Sequence, residues 1–240
     1  SRIERYDTTE ERSSINVNLG NTKELSLELL LSANPDFVLA SANTRQNLEW
    51  METLESAKIP TAYFDVADFD DYLRLLEICC GITGRNDLYE KNGLAVQKEI
   101  DAVLADSAKR IEEHGAPKVL SIRASASSVT VKNSQDNVLG EMLHSLGCEN
   151  IADSNAMLLE NLSMEYILES DPDFIFFVQL GDDTEGTREN MERFFAEHPA
   201  WASLTAVREG RVILLDKKLY NMKPNARWGE AYLALEEMLR

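Results

Sequence analysis

The chain has 240 residues, 44% hydrophobic and 28% charged, enough for the core of one large domain or two small ones. Its formal charge is −18, from 42 acids against 24 bases, which opposes a phosphate backbone and excludes general nucleic-acid binding. No apolar run reaches the roughly 20 residues of a membrane-spanning helix, and Ser1-Arg2-Ile3-Glu4 opens no signal-peptide core, so an exported protein is expected here in a mature or trimmed form.

The first clear element is a helix followed by a strand. Leu25 to Leu31 is rich in leucine and runs into Asn34-Pro35-Asp36, after which Phe37 to Ala40 suits a strand buried in a parallel sheet. Pro35 stops the helix, because the residue before a proline is pushed out of the helical region. Asn47 to Ala57 is predicted helical, Thr61 to Phe64 a strand, and Asp68 to Cys80 a helix with Asp68 as its cap. Cys79, Cys80 and Cys148 form no Cys-x-x-Cys spacing, so they are read as buried thiols and not as a zinc or redox pair.

From Asn86 to His114, Leu88, Val96, Ile100, Val103, Leu104 and Ile111 recur at helical spacing, with one glycine and no proline. A helix of this length spans about 40 Å at 1.5 Å per residue, more than a crossover needs. It stops at Gly115-Ala116-Pro117 and is expected to be a strut joining two lobes. Lys118 to Arg123 then reads as a strand and Val138 to Leu146 as a helix.

Leu162 to Phe174 repeats Leu25 to Phe37: seven of thirteen positions are identical, at a constant offset of 137. The second copy leads into a strand at Phe174 to Val178. A helix at Arg188 to Ala196, a strand at Arg211 to Leu215 and a last helix from Ala226 complete the chain. The alternation predicts an α/β fold of two lobes with parallel-rich sheets, divided as residues 1–85, 86–114 (the joining helix) and 115–240. Ligands of such sheets bind beyond the carboxyl ends of the strands, here Ser41–Arg45, Ala124–Ser128, Gln179–Asp182 and Lys217–Lys223.

Three segments carry a family resemblance: the Glu-Leu-Leu-x-x-x-x-Pro-Asp-Phe unit from Glu28, with its second copy from Glu165 and the long intervening helix, the stretch Trp201-x-x-Leu204-x-Ala206-Val207-x-x-Gly210-x-Val212, and Lys223-Pro224-Asn225-Ala226-Arg227. Together they resemble the iron-complex, haem and vitamin B12 class of ABC-transporter substrate-binding proteins, from about Asn21 to the end. The resemblance implies solute capture and delivery to an importer permease at the periplasmic or extracellular face of a bacterial membrane, and no catalysis. Its expected ligand is a ferric siderophore or similar iron complex, with haem or cobalamin as the alternatives. No intrinsic cofactor, metal set, nucleic acid or membrane span is implied, and a lipid anchor on the full-length precursor is compatible with it. The family opens with a strand-helix-strand portion ahead of the segment that Ile15 to Gly20 matches. That portion is missing here, so a first lobe either truncated or naturally reduced, with exposed sheet edge, is expected.

The candidate ligand residues are Arg45, Arg123, Tyr220, Met222, Lys223 and Arg227. The four cations stand out in so acidic a chain, and arginine forks suit carboxylates and other oxygen-rich anions. Tyr220 and Met222 would pack against a ligand or ligate iron; read as residues alone, they belong to a surface loop. Glu28 and Glu165 hold equivalent repeat positions, each seven residues before its proline. By themselves they are exposed helix glutamates, whereas the resemblance makes them the two permease-docking carboxylates. His114, His144 and His198 fall outside the predicted ligand loops, which disfavours a histidine-held haem and leaves tyrosine ligation through Tyr220. No nucleophile elbow, Walker loop, HExxH or GxGxxG motif supports an enzyme, the rival class beside a doubly wound signalling domain.

Overall fold

The structure is a computed structural model that describes residues 19–21, 24–135, 137–155, 158–159 and 163–240. Most of Ile15 to Gly20, and Leu162 at the head of the second repeat, lie outside the described residues. The chain separates into two compact units, Ser1–Asp65 and Val66–Arg240.

In the first unit β1 (Gly20–Asn21) and β2 (Glu24–Leu25) form an antiparallel hairpin, followed by α1 (Leu27–Ser32), β3 (Val38–Ser41), α2 (Arg45–Glu49), α3 (Met51–Ser56) and β4 (Thr61–Phe64). β3 and β4 pair in parallel, with Val38 opposite Thr61 and Ser41 opposite Phe64. The single helix expected over 47–57 is two short ones meeting at Trp50. Leu30 and Leu54 are buried, while Leu39 on β3 is 52% exposed. A two-stranded parallel sheet has too little surface to cover its own apolar side chains.

The second unit opens with α4 (Phe69–Thr83), whose cap Asp68 accepts from the Asp71 amide at 2.9 Å. Phe69 and Tyr72 turn inward from α4 into the core that also holds Val96, Ile100 and Trp228, and Cys80 on the same helix is buried. The first compact unit ends at Asp65, ahead of α4, and α4 shares its buried face with the helices that follow. Those are α5 (Asn86–Tyr89), a π turn at Glu90–Leu94 and α6 (Ala95–His114), one unbroken helical run over the expected range. Gly93 sits where a Cβ would lie 2.8 Å from Leu73 Cδ1, so a larger residue there would push the Leu73 side chain of α4 aside.

The remaining elements are β5 (Lys118–Ala124), β6 (Val129–Lys132), α7 (Val138–Ser145), β7 (Glu149–Asn150), α8 (Met164–Ser170), β8 (Phe174–Gln179), α9 (Thr184–Glu197), α10 (Thr205–Arg208), β9 (Val212–Leu215), α11 (Lys217–Tyr220) and α12 (Trp228–Met238). The sheet runs β6-β5-β8-β9, with β7 also paired to β5; all pairings are parallel except that of β6. Alternate residues serve two cores. Val119, Phe176, Val178 and Leu215 pack beneath α4, α6, α7 and α12. Leu120, Ile122, Ile175 and Phe177 face Ile167, Phe194, Trp201 and Leu204 on the other side. Burial on both faces is why Phe174 to Val178 reads as an uninterrupted apolar run.

The repeat is a repeat in conformation. Ser26 caps α1 by accepting from the Leu29 amide, and Ser163 caps α8 by accepting from the Tyr166 amide. Each copy then passes through a left-handed residue before its proline, Asn34 at φ 46° and Asp171 at φ 39°. Asn and Asp tolerate this region better than other side chains, which explains the residue type chosen in both copies.

Asp171 is further held by Thr205, whose amide and hydroxyl donate to its carboxylate at 2.8 and 2.7 Å. These bonds, the backbone one foremost, lower its pKa. A carboxyl whose folded pKa is depressed stabilises the fold above its unfolded value of about 3.9 and loses that contribution as pH falls through the folded value. Asp171→Asn keeps the left-handed geometry and removes the charge. The expected loss is under about 1 kcal/mol at pH 7, since solvent screens the site, and it disappears by pH 2. Urea midpoints of both proteins across that range measure it.

Candidate functional site

The carboxyl ends of β5, β8 and β9 in the second unit lead into three polar segments. After β5 the chain turns through Ser125 to Ser128, where the Ser125 and Ser128 hydroxyls lie 2.7 Å apart and Asn190 donates to the Ser125 carbonyl at 2.9 Å. After β8, Lys217 donates to the Gly181 carbonyl at 2.7 Å and also bonds Asp182, while Asp183 caps α9. After β9, Asp216 caps the one-turn helix α11. The loops are thus fixed to one another by side chain to backbone bonds.

Arg123 stands at the end of β5 on the face toward α6 and α12, beside Val178 of β8 and opposite Thr130 of β6. It is half-buried, its Nε is buried without a hydrogen-bond partner, and it has no ion pair among the described residues. Burial lowers its pKa. Lys132, one step along the same face of β6, is also shifted down, by burial first and by the Arg123 charge second. Sequence reading passed over Lys132, because the Ser125–Ser128 turn carries no glycine or asparagine to mark the hairpin that β6 completes.

The other sequence candidates separate. Tyr220 is buried, and its hydroxyl donates to the Ala231 carbonyl at 3.1 Å; burial foremost pushes its pKa up to about 12. A phenol so committed packs in the core from α11. Arg227 is exposed and closes both arms of its guanidinium on Glu230, each at 2.6 Å. Arg123 and Arg227 belong to one unit. Arg45 opens α2 in the first unit, 93% exposed at its side chain and bonded to Glu49 at 2.8 Å. Met222 and Lys223 are half-buried just past α11, and the Met222 amide donates to the Lys217 carbonyl at 2.8 Å.

Glu28 and Glu165 each occupy the first turn of a serine-capped helix and are exposed. A carboxylate there is favoured by the helix dipole and remains available to a partner. His198 donates through Nδ1 to the Phe194 carbonyl at 2.8 Å, and its ring lies 4.6 Å from that of Phe194, so it serves packing. Cys79, Cys80 and Cys148 are free thiols, the last two buried.

Comparison with known proteins places this architecture. The chain superposes on haem-bound IsdE of Staphylococcus aureus with a TM-score of 0.74 at 17% identity, covering 97% of this chain and 88% of that one. An ABC-transporter substrate-binding protein of Listeria monocytogenes gives 0.73 at 21% identity, over 97% and 87%. The haem-binding protein RhuT of Roseiflexus sp. RS-1 gives 0.71 at 23%, over 95% and 84%. In sequence, the iron-uptake system-binding protein of Bacillus subtilis is 24% identical over 215 residues, 89% of this chain, and the chain spans 63% of that relative's length. The pattern of the periplasmic binding proteins matches residues 3–219, nearly the whole chain. This chain, with its α/β units, parallel-rich sheets and long unbroken helix, belongs to the periplasmic binding protein family.

Proposed function

We propose that the chain is the solute-capturing component of an ABC importer, and that its solute is a ferric siderophore or similar iron chelate. The observation that carries the reading is Arg123, a half-buried guanidinium at the carboxyl end of a parallel strand with no acid to neutralise it among the described residues. An unpaired buried cation is costly to keep, and the ligand-facing ends of such strands are where an anionic partner would satisfy it. The iron-uptake relative and the family match support the same class of cargo. Met222 and Lys223, next in the chain to the α11 loop, and Arg45 in the first unit supply further ligand contacts in this reading; Arg227 fastens its own turn.

The protein works outside the cytoplasm, where its permease receives the cargo. Glu28 and Glu165, presented identically on the two repeat helices, are the docking carboxylates. Binding, with no chemical conversion of the cargo, is its activity. A tryptophan-fluorescence screen against ferric siderophores, haem and cobalamins tests the assignment. Saturable one-to-one binding of a ferric siderophore is expected; a preference for haem or cobalamin would move the cargo within the class.

A further inference from the structure

The face of β5 that carries Arg123 also carries Ser121, and β6 lays Thr130 and Lys132 directly opposite these two residues. Opposed and diagonal side chains on one face of an antiparallel pair have Cβ atoms about 4.5–8 Å apart, so the Lys132 ammonium and the Arg123 guanidinium serve one patch. Neither cation has an acidic partner among the described residues. Ser121, beneath them, is 1% exposed, and its hydroxyl has no hydrogen-bond partner among the described residues. Buried polar groups are nearly always bonded, so an orphaned hydroxyl and an orphaned Nε at one place mark a missing partner. Two repelling cations over those orphans give that partner's sign. The depressed pKa values of both cations agree with this placement.

We infer that Arg123 and Lys132 form a two-cation cradle over Ser121 that grips an anionic oxygen group of the ligand and makes the protein select negatively charged iron chelates over neutral ones. This rests on the capture reading and adds to it the charge of the cargo and the residue that sets it. The guanidinium presents a planar fork to a carboxylate or catecholate edge, while the ammonium acts as a point charge from the side. A neutral chelate gains nothing from the second cation.

The experiment titrates ferric citrate and an anionic ferric tris-catecholate against a neutral ferric trihydroxamate, with haem and iron-free citrate alongside. The proteins are the full chain and its Lys132→Gln, Lys132→Arg and Lys132→Met variants, each checked by thermal unfolding. Lys132→Gln and Lys132→Met are expected to weaken the anionic chelates at least tenfold, Lys132→Arg to restore most of the affinity, and the neutral chelate to change less than twofold. Half-exposed on an edge strand, Lys132 leaves at least one of the neutral variants folded. Unchanged affinity for anionic chelates, an equal loss for the neutral one, or a wild-type preference for the neutral chelate or haem would overturn the cradle and leave iron capture standing. Lys132-dependent binding of iron-free citrate with no binding of any iron complex would keep the cradle and defeat the capture reading. Binding of nothing in the panel would defeat both.

Discussion

Replacing Arg110 with alanine is expected to destabilise the second unit by about 3–5 kcal/mol, the cost of leaving one partner of a buried ion pair alone. Arg110 on α6 and Glu236 on α12 are 9% and 1% exposed at their side chains. The guanidinium Nε donates to both carboxylate oxygens at 3.1 and 3.3 Å, and Nη2 reaches Glu236 at 3.2 Å, the Ser107 hydroxyl at 2.9 Å and the Leu146 carbonyl at 3.1 Å. Leu146 caps the carboxyl end of α7, so one side chain ties three helices over the sheet. Removing it strands the Glu236 carboxylate, which among the described residues retains Arg240 alone, at 3.6 Å. The Ser107 hydroxyl still serves the Leu146 carbonyl at 2.7 Å, which keeps the loss within the stated range.

At about 2–4 °C per kcal/mol for a unit of this size, the melting temperature should fall on the order of 10 °C. The double variant Arg110→Met with Glu236→Leu removes both charges together, and it is expected to recover most of the loss because no buried charge is stranded. Calorimetry of the two variants decides between a charge-pairing role and simple packing. Equal destabilisation in both would show that volume, and not the pair, is what the helices need.

Reversing both repeat carboxylates, Glu28→Lys with Glu165→Lys, is expected to abolish uptake while ligand affinity in solution stays within twofold. The two positions share a serine cap, a first-turn location and an exposed side chain, so a two-fold partner can read them as one pattern. Exposed substitutions of this kind usually alter stability by no more than about 0.5 kcal/mol, with a further few tenths from a lysine near a helix amino end. Each single reversal should leave partial uptake. Measuring iron accumulation in cells that carry the permease, beside binding by the purified variants, separates docking from capture. Undiminished uptake in the double variant would return both glutamates to plain helix surface.

Much of the fold was legible because its signals are local. Apolar runs of strand length, the Pro-Asp stops and the proline-free stretch from Asn86 to His114 each fix their element with little help from elsewhere. The left-handed Asn34 and Asp171 were foreshadowed by residue type, although a preceding-proline rule alone points to extended backbone there. The π turn was not legible: it accommodates α4 against Gly93, a tertiary demand that periodicity does not record. The same packing groups α4 with the unit that follows Asp65.

The site was harder. Arg123 could be placed at a strand end from sequence, but its lack of an acid partner is a property of the packed sheet. Arg227 and Glu230 stand three apart, a spacing that already hinted at a closed pair. Tyr220 looked like a loop residue because α11 is only one turn long, too short to show a buried face. Lys132 required the register of a hairpin with no turn signature, so its partnership with Arg123 emerges only from the pairing of β5 with β6.

Equilibrium dialysis against isotopically labelled ferric siderophore, followed by recovery and mass analysis of the chelate, tests the proposed capture role most directly. Saturable retention of one chelate per chain is expected, with the chelate recovered chemically unchanged and the retention weakened about tenfold or more by Arg123→Gln, as the loss of a desolvated charged hydrogen bond requires. Failure to retain any ferric siderophore, haem or cobalamin, or recovery of a converted product, would contradict it.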